Sequence, residues 1–295
     1  MSSEPGLVVI LSTFNGGEVL RRTLEAYRHL EPPKRKWRIV IANNNSSDDT
    51  AEILEYFEEF LPLTTIFVEK PGKNVALNRA LGTLGDEDDF VILTDDDAIP
   101  QPDFMRAWEI VSETYSDAAL FAGKIKPYFL EGKPEWLDAF EDEFDVLYAI
   151  NDREDGIIEA SDIFGPNMGV RRSVFAAGLR FNEGIGPSSD DSNYPMGSET
   201  EFCVRAEKEC NLVSRFSSAP MVEHQIRPHQ TKIGFVAGRA FRHGRGYALR
   251  NSIALGRFPR IRSALKLGLL KLRMLAGSKR AFWGYHWHRG LYSHQ

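Results

Sequence analysis

Three adjacent carboxylates, Asp95, Asp96 and Asp97, directly follow an apolar segment of the chain. Because neighbouring carboxylates repel one another, such a triplet is hard to maintain without a bound cation. Hard oxygen ligands suit Mg²⁺ or Mn²⁺, which also bind diphosphate oxygens. We therefore interpret the triplet as a divalent-cation site for a substrate that carries a diphosphate. The alternative is a solvated turn with a helix cap.

Two further polar segments could contact a nucleotide. Asn43 and Asn44 open the segment NNNSSDDT, whose amide and carboxylate groups could hydrogen-bond a base or a ribose. Lys73 stands near a predicted helix start, where its cation could face a phosphate, and Asn78 could reach the base or the ribose. The alternatives are an acidic residue of the first segment that caps the next helix, and an ordinary exposed lysine and asparagine.

An alternation of strand and helix patterns must position these groups. Short apolar runs rich in β-branched residues predict four strands that are buried on both faces. They are Leu7–Leu11, Trp37–Ala42, Thr64–Val68 and Asp89–Thr94. Helical patterns separate them, which predicts βαβ units and a parallel sheet. Three polar loops, STFNGG, NNNSSDD and DDDAIP, follow these strands, so we expect them on the ligand-binding rim of the sheet.

The middle of the chain is less regular. Phe104–Tyr115 and Glu199–Cys210 predict helices, and Ala119–Lys124 predicts a strand. The high content of Gly, Pro, Ser and Asp predicts a long loop over Asn182–Ser198. Loops of this length in compact domains are usually functional or mobile.

Taken in order, these segments resemble the inverting glycosyltransferases of family 2. The resemblance covers about residues 7–225 and rests on the ordered set more than on any one motif. The segments that carry it are VVILSTFNGGEVLRRTLEAY, IVIANNNSSDDT, GKNVALNRAL, ILTDDDAIPQPDFM, GPNMGVRRSVF, GSETEF and Val222-Glu223-His224. The resemblance implies an α/β fold of GT-A type, with a mostly parallel, Rossmann-like sheet flanked by helices. It also implies a nucleotide-diphosphate sugar donor, Mn²⁺ or Mg²⁺, and a saccharide or lipid-linked acceptor.

The resemblance assigns the donor-binding residues by position. Ser12, Thr13 and Phe14 match the loop after the first strand, which touches the nucleotide. Asn43 stands where many relatives have an acidic residue that contacts the nucleobase of the donor. This departure leaves the identity of the nucleobase open. Within the acidic triplet, Asp97 matches the direct metal ligand, while the two preceding aspartates lie nearer the ribose. His224 matches a histidine that completes the metal site in many relatives; a buried or capping histidine is the alternative.

Glu199 is the expected catalytic base. Relatives commonly show Glu-Asp followed by Thr-Glu-Phe at the start of a helix, and Ser198–Phe202 fills that frame with Glu199 in place of the aspartate. In that position it would accept the proton of the acceptor hydroxyl. Glu201 is the fallback candidate. The alternative role of Glu199 is charge complementarity at a helix N-terminus.

Charge is distributed unevenly along the chain. The net charge is -6, yet no Asp or Glu follows Glu223, and residues 224–295 hold 15 Lys and Arg. The first 223 residues therefore carry 21 basic and 42 acidic groups, or -21. Ile261–Leu275 mixes apolar and basic residues at helical spacing, and Phe282–Trp287 adds aromatic residues. This pattern predicts contact with an anionic membrane surface. The alternatives are packing on the acidic body and dimerisation; no recognition motif indicates nucleic acid.

The bulk composition is that of a globular protein, with 42% hydrophobic and 26% charged residues. No apolar run reaches the roughly 18 residues that span a bilayer, and the N-terminus lacks signal-peptide features. With only Cys203 and Cys210, a disulfide framework is not expected. We therefore expect a cytoplasmic protein, peripheral at the inner face of the membrane. A catalytic domain is expected over residues 1–230, with donor binding in about 1–100 and the acceptor part in about 101–230. A basic helical extension is expected over 231–295.

Two other functions compete with sugar transfer. A sugar nucleotidyltransferase shares the parallel sheet and the metal–phosphate chemistry. It would require a basic residue in the loop after the first strand, and the segment STFNGGEV has none. A non-catalytic nucleotide-sugar-binding protein is the second alternative, and the departures at Asn43 and Glu199 favour it.

Overall fold

The computed structural model describes residues 6–251 and 257–293, with side chains of 257–261 left out. The first five residues lie outside this part, and so does their share of the N-terminus that is expected to lack signal-peptide features. The chain forms two compact units, each built from several segments. The first contains Met1–Tyr128, Ala149–Glu183 and Glu199–Gln225. The second contains Phe129–Tyr148, Gly184–Ser198 and Ile226–Gln295.

The described strands belong to one sheet. They are β1 (Gly6–Thr13), β2 (Trp37–Asn43), β3 (Leu63–Phe67), β4 (Asp88–Thr94), β5 (Ala98–Pro100), β6 (Leu120–Phe129), β7 (Gly156–Ile157), β8 (Asn167–Arg171) and β9 (Ser214–Ile226). Their order is β3-β2-β1-β4-β8-β6-β9-β5, and β7 also pairs with β9. The first four strands pair in parallel, as predicted, whereas β8 joins β4 in the antiparallel direction.

The described helices follow the same chain order. They are α1 (Gly17–Arg28), α2 (Thr50–Glu58), α3 (Lys73–Leu81), α4 (Phe104–Thr114), α5 (Phe144–Tyr148), α6 (Arg172–Ala176), α7 (Ser198–Cys210), α8 (Ile233–Arg250), α9 (Arg257–Leu275) and α10 (Lys279–Leu291). Short 3-10 helices lie at Glu135–Glu143, Ala160–Asp162 and Pro228–Thr231. None of the helices in the described segments has the length and apolarity needed to cross a bilayer.

Apolar layers cover both faces of the parallel strands. Val8 and Ile10 of β1 belong to one buried cluster, together with residues of α3. Leu7, Val9 and Leu11 belong to a second cluster on the other face, together with residues of α1 and α4. This alternation explains why the strand sequence is apolar throughout, since both faces of the strand are buried. The polar groups of the parallel strands are thereby concentrated at their ends.

The second unit contains a close contact between α8 and α10. A Cβ atom added to Gly244 would lie 1.9 Å from the carbonyl oxygen of Trp287, and one added to Gly290 would lie 1.8 Å from that of Phe241. The two backbones therefore touch where the side chains are absent. Trp283 of α10 is buried, so the expectation that it contributes to an interfacial aromatic surface is wrong.

Candidate active site

The loops after β1, β2 and β4 meet at one edge of the sheet, because these strands are parallel neighbours. Hydrogen bonds join them. The Asn15 backbone N–H donates to Ser46 Oγ at 3.0 Å, and Asn15 Oδ1 accepts from the Ser47 N–H at 2.8 Å. Thr13 Oγ1 donates to Asp96 Oδ2 at 2.6 Å. The predicted convergence of the three polar loops on one rim is confirmed.

Lys73, in the first turn of α3, lies between two carboxylates. Its Nζ is 2.6 Å from Asp95 Oδ1 and 3.0 Å from Glu199 Oε1. Burial raises the pKa of Asp95, and the nearby charges of Asp97 and Glu199 raise it further, while the Lys73 ammonium opposes the rise. Burial lowers the pKa of Lys73, but the two carboxylates outweigh that effect and raise it overall. The lysine expected to face a phosphate thus balances the charge of two acids.

Glu199 lies in the first turn of α7, and its carboxylate rests against a glycine. A Cβ atom added to Gly165 would lie 2.6 Å from Glu199 Oε1 and 3.0 Å from its carboxyl carbon. The two residues line a small pocket together with Lys73, Asp95 and the apolar Phe181. Glu199 is therefore fixed from two sides, by the ammonium group of Lys73 and by the backbone at Gly165.

Glu201, the fallback base, has a different environment. Its carboxylate pairs with Arg205 one turn further along α7, at 2.7 Å, and Arg205 also donates to the carbonyl oxygen of Arg180. The lining of the pocket includes Glu199 but not Glu201. Glu199 therefore faces the pocket, whereas Glu201 is held by Arg205 outside its lining.

Asp97 and His224 come together across β5 and β9. These strands pair Ala98 with His224, and the Gln225 N–H donates to the carbonyl oxygen of Asp97 at 2.8 Å. As a result His224 Nε2 lies 3.3 Å from Asp97 Oδ1. Both side chains are largely buried, although they are 127 residues apart in sequence.

This pair fits two neighbouring positions around a divalent cation. Ligands at adjacent corners of an octahedral magnesium site lie about 3 Å apart, close to the observed separation. Among the described residues no group of three or more His, Cys, Asp or Glu side chains is arranged to hold a metal ion. Further ligands would therefore have to come from diphosphate oxygens or water, which is usual for Mg²⁺.

The predicted nucleotide contacts have partners within the protein. Asn43 Oδ1 accepts from the Ser46 N–H, and the Asn44 amide donates to the carbonyls of Val68 and Lys70. Asn44 Oδ1 also accepts the N–H of Gly72. The two asparagines therefore shape the loop after β2 and the loop before α3, and their direct contact with a nucleotide stays a prediction.

The remaining predicted donor contacts differ in exposure. Ser12 is half-buried, Thr13 is buried, and the Phe14 ring is 47% exposed at the rim. Asn78 exchanges two hydrogen bonds with the backbone of Phe181, each of 2.9 Å. Among these residues Phe14 offers an exposed ring on which a flat base could stack. Sequence reasoning did not place Gly165 against Glu199, because no local pattern links these two distant residues.

The sequence is similar to those of known glycosyltransferases. The profile described as glycosyl transferase family 2 matches residues 8–179. A glucosyl-dolichyl phosphate glucuronosyltransferase of Haloferax volcanii is 24% identical over 174 residues, 58% of this chain and 54% of that protein. The probable glycosyltransferase YdaM of Bacillus subtilis is 32% identical over 106 residues, 34% of this chain and 25% of its own. The chain thus spans about half or less of these relatives.

Two solved structures share the fold. The mannosyltransferase PcManGT of Pyrobaculum calidifontis, in complex with GDP-Man and Mn²⁺, has a TM-score of 0.64 at 15% identity, covering 100% of this chain and 89% of that one. Residues 1–349 of TarS from S. aureus, in complex with UDP-GlcNAc, give a TM-score of 0.54 at 14% identity, covering 81% and 66%. The fold is of the GT-A type that the sequence predicts. The match over more than half its length shows that the chain belongs to glycosyl transferase family 2.

Proposed function

We propose that the protein transfers a sugar from a nucleotide-diphosphate donor to an acceptor hydroxyl, with inversion at the anomeric carbon and with Glu199 as the base. The observation that supports this best is the Lys73 bridge. One ammonium group contacts both Asp95, at the end of β4, and Glu199, at the start of α7. Asp95 of the acidic motif and Glu199 thus line one pocket, which supports the roles proposed for them.

Residues in and around the pocket have separate tasks in this proposal. Asp97 and His224 would hold Mg²⁺ or Mn²⁺, with Asp96 fixed beside them by its hydrogen bond from Thr13. Such an ion, when bound, stabilises the negative charge that develops on the departing diphosphate. Glu199 accepts the proton of the acceptor hydroxyl as the new glycosidic bond forms. Attack from the face opposite the leaving group inverts the configuration. Lys73 positions Glu199 and balances its charge.

The acceptor is proposed to be a saccharide or a lipid-linked molecule, with polysaccharide or glycolipid synthesis as the process. One relative is named as a glucosyl-dolichyl phosphate glucuronosyltransferase, and TarS is named as a poly(ribitol-phosphate) beta-N-acetylglucosaminyltransferase. We place the protein in the cytoplasm, peripheral at the inner face of the membrane. A sugar nucleotidyltransferase is less well supported, because the loop after β1 carries no Lys or Arg.

Substitution of the base tests the proposal directly. Glu199→Gln preserves size but cannot accept the proton, so we expect transfer to fall by about a hundredfold or more. Donor binding, measured as the rise in melting temperature with nucleotide sugar and Mn²⁺, is expected to persist. Glu201→Gln is the matched control on the same helix and is expected to keep most of the activity. Full activity of Glu199→Gln would contradict the assignment of the base.

The same assays test the cation ligands. Asp97→Ala removes one of the two converging side chains, and we expect it to abolish Mn²⁺-dependent stabilisation by the donor as well as turnover. Screening nucleotide sugars in the thermal assay identifies the donor. A donor that stabilises the wild-type protein without ever being transferred or hydrolysed would favour a non-catalytic binding protein.

A further inference from the structure

Helix α9 has an apolar side that is packed. Leu267, Leu270 and Met274 are half-buried, and Ser263 is buried on the same side. This side meets α10, where the Leu270 side chain lies next to Gly284. Packing against α10 therefore accounts for one apolar stripe of the helix.

A second apolar stripe of α9 is exposed. Leu265, Leu269, Leu272 and Leu275 are each 58–71% exposed. They follow one another at intervals of four, three and three residues, so they line one side of the helix. We call these four residues the leucine face. Exposed apolar patches of this kind mark interaction sites, because single exposed leucines are common but aligned ones are not.

Cations border the leucine face on both sides. At helical spacing, Lys266 and Arg273 lie along one edge and Lys271 along the other, and all three are exposed. Arg262 is exposed near the beginning of the same edge. No Asp or Glu follows Glu223 in the sequence, so no acidic side chain within residues 224–295 offsets this positive charge.

We propose that the leucine face docks on an anionic lipid bilayer, with the leucines entering the acyl region and the flanking cations meeting head-group phosphates. A bilayer surface offers an apolar interior beneath anionic groups, which is the same arrangement as apolar leucines between cations. A second copy of the chain would bring like cations together along both edges, which opposes association. This inference does not depend on the reaction at the active site.

Vesicle flotation with the full chain tests the proposal. At low salt, the protein is expected to bind vesicles of equimolar phosphatidylcholine and phosphatidylglycerol and to bind vesicles of phosphatidylcholine alone far less. Leu269→Ser/Leu272→Ser is expected to weaken binding at least about tenfold, because two inserted side chains become polar. Lys266→Gln/Arg273→Gln is expected to weaken it by roughly fivefold for each cation removed.

The matched control is Ile110→Ser/Leu249→Ser, which removes two exposed apolar residues from other helices. It is expected to bind vesicles as the wild type does. Unchanged melting temperatures exclude unfolding as the cause of any loss. The proposal is overturned if the wild type does not bind anionic vesicles, or if Leu269→Ser/Leu272→Ser binds them as the wild type does. It is also overturned if light scattering shows a dimer that the leucine variant dissociates while vesicle binding is unaffected.

Discussion

Gly165 determines where the Glu199 carboxylate can lie, because an added methyl carbon would lie only 2.6 Å from Oε1, closer than such atoms approach. Gly165→Ala is therefore expected to displace the carboxylate of Glu199, the proposed base, while leaving Asp97 and His224, the proposed cation ligands, in place. Displacement of a catalytic group by about 1 Å commonly costs up to a hundredfold in rate, so we expect transfer to fall tenfold to a hundredfold. The rate of sugar transfer and the affinity for the donor are both measured. The donor affinity is expected to be unchanged.

A compensating variant distinguishes displacement from general damage. Glu199→Asp shortens the side chain and makes room for the methyl group, so Gly165→Ala/Glu199→Asp is expected to be more active than the product of the two single effects predicts. Strictly additive losses would show that Gly165 does not act through Glu199.

The sequence indicated which residues form the site more completely than it indicated which of them contact one another. It assigned Asp97 and His224 to one cation, and the structure brings them to 3.3 Å. It did not foresee that Lys73 would join Asp95 to Glu199, since 126 residues separate Lys73 from Glu199 and neither local pattern indicates the other. Such contacts arise from tertiary packing, since residues of α7 share a buried cluster with residues of the parallel strands, and single motifs do not encode this.

At the scale of elements, the contact between α8 and α10 requires glycine. Gly244→Ala would force its methyl group into the backbone of α10, so we expect a loss of about 1–3 kcal/mol or more in the free energy of unfolding. Gly268→Ala in α9 is the matched control, because no atom lies within 4 Å of its added Cβ. There alanine is expected to stabilise the helix by up to about 1 kcal/mol. Urea unfolding measures both.

Equal effects of the two alanines would contradict this interpretation of the glycine contact. A further check is the double variant Gly244→Ala/Gly290→Ala. Because both methyl groups fall in the same interface, their costs are expected to be non-additive.

The parallel strands and their helices could be predicted because each is a local pattern of apolar residues between polar loops. The predicted boundaries of β2, β4 and α4 agree with the structure to within one residue. The antiparallel arm of β5, β8 and β9 was not assigned strand by strand, since these strands pair with partners distant in sequence. The helices α8 and α10 were not separated either, because their glycines weaken a helical prediction while serving the packing.

At the scale of the whole molecule, the chain divides into an acidic and a basic part, and the basic part contains histidines. Burial, with Arg250 and Arg239 nearby, lowers the pKa of His243 from 6.5 to about 4. The folded state therefore binds this proton less readily than the unfolded chain does. The stability that follows is present above about pH 6.5 and is lost as the pH falls toward 4.

We accordingly expect acidification to about pH 5 to reduce the free energy of unfolding by about 2 kcal/mol through His243. His243→Gln cannot be protonated in this range, so its unfolding free energy is expected to depend less on pH. Urea unfolding at several pH values measures the slope, and an identical slope for the variant and the wild type would contradict the assignment.

The hydrogen bonds between Asn15 and the two serines Ser46 and Ser47 have a consequence for engineering of the donor preference. These hydrogen bonds join the loop after β1 to the loop after β2. A substitution in one loop is therefore expected to shift the other, so the effects of substitutions in the two loops are expected to be coupled. Under the proposed function, libraries that vary Asn15, Ser46 and Ser47 together are expected to reach nucleotide specificities that stepwise mutagenesis misses.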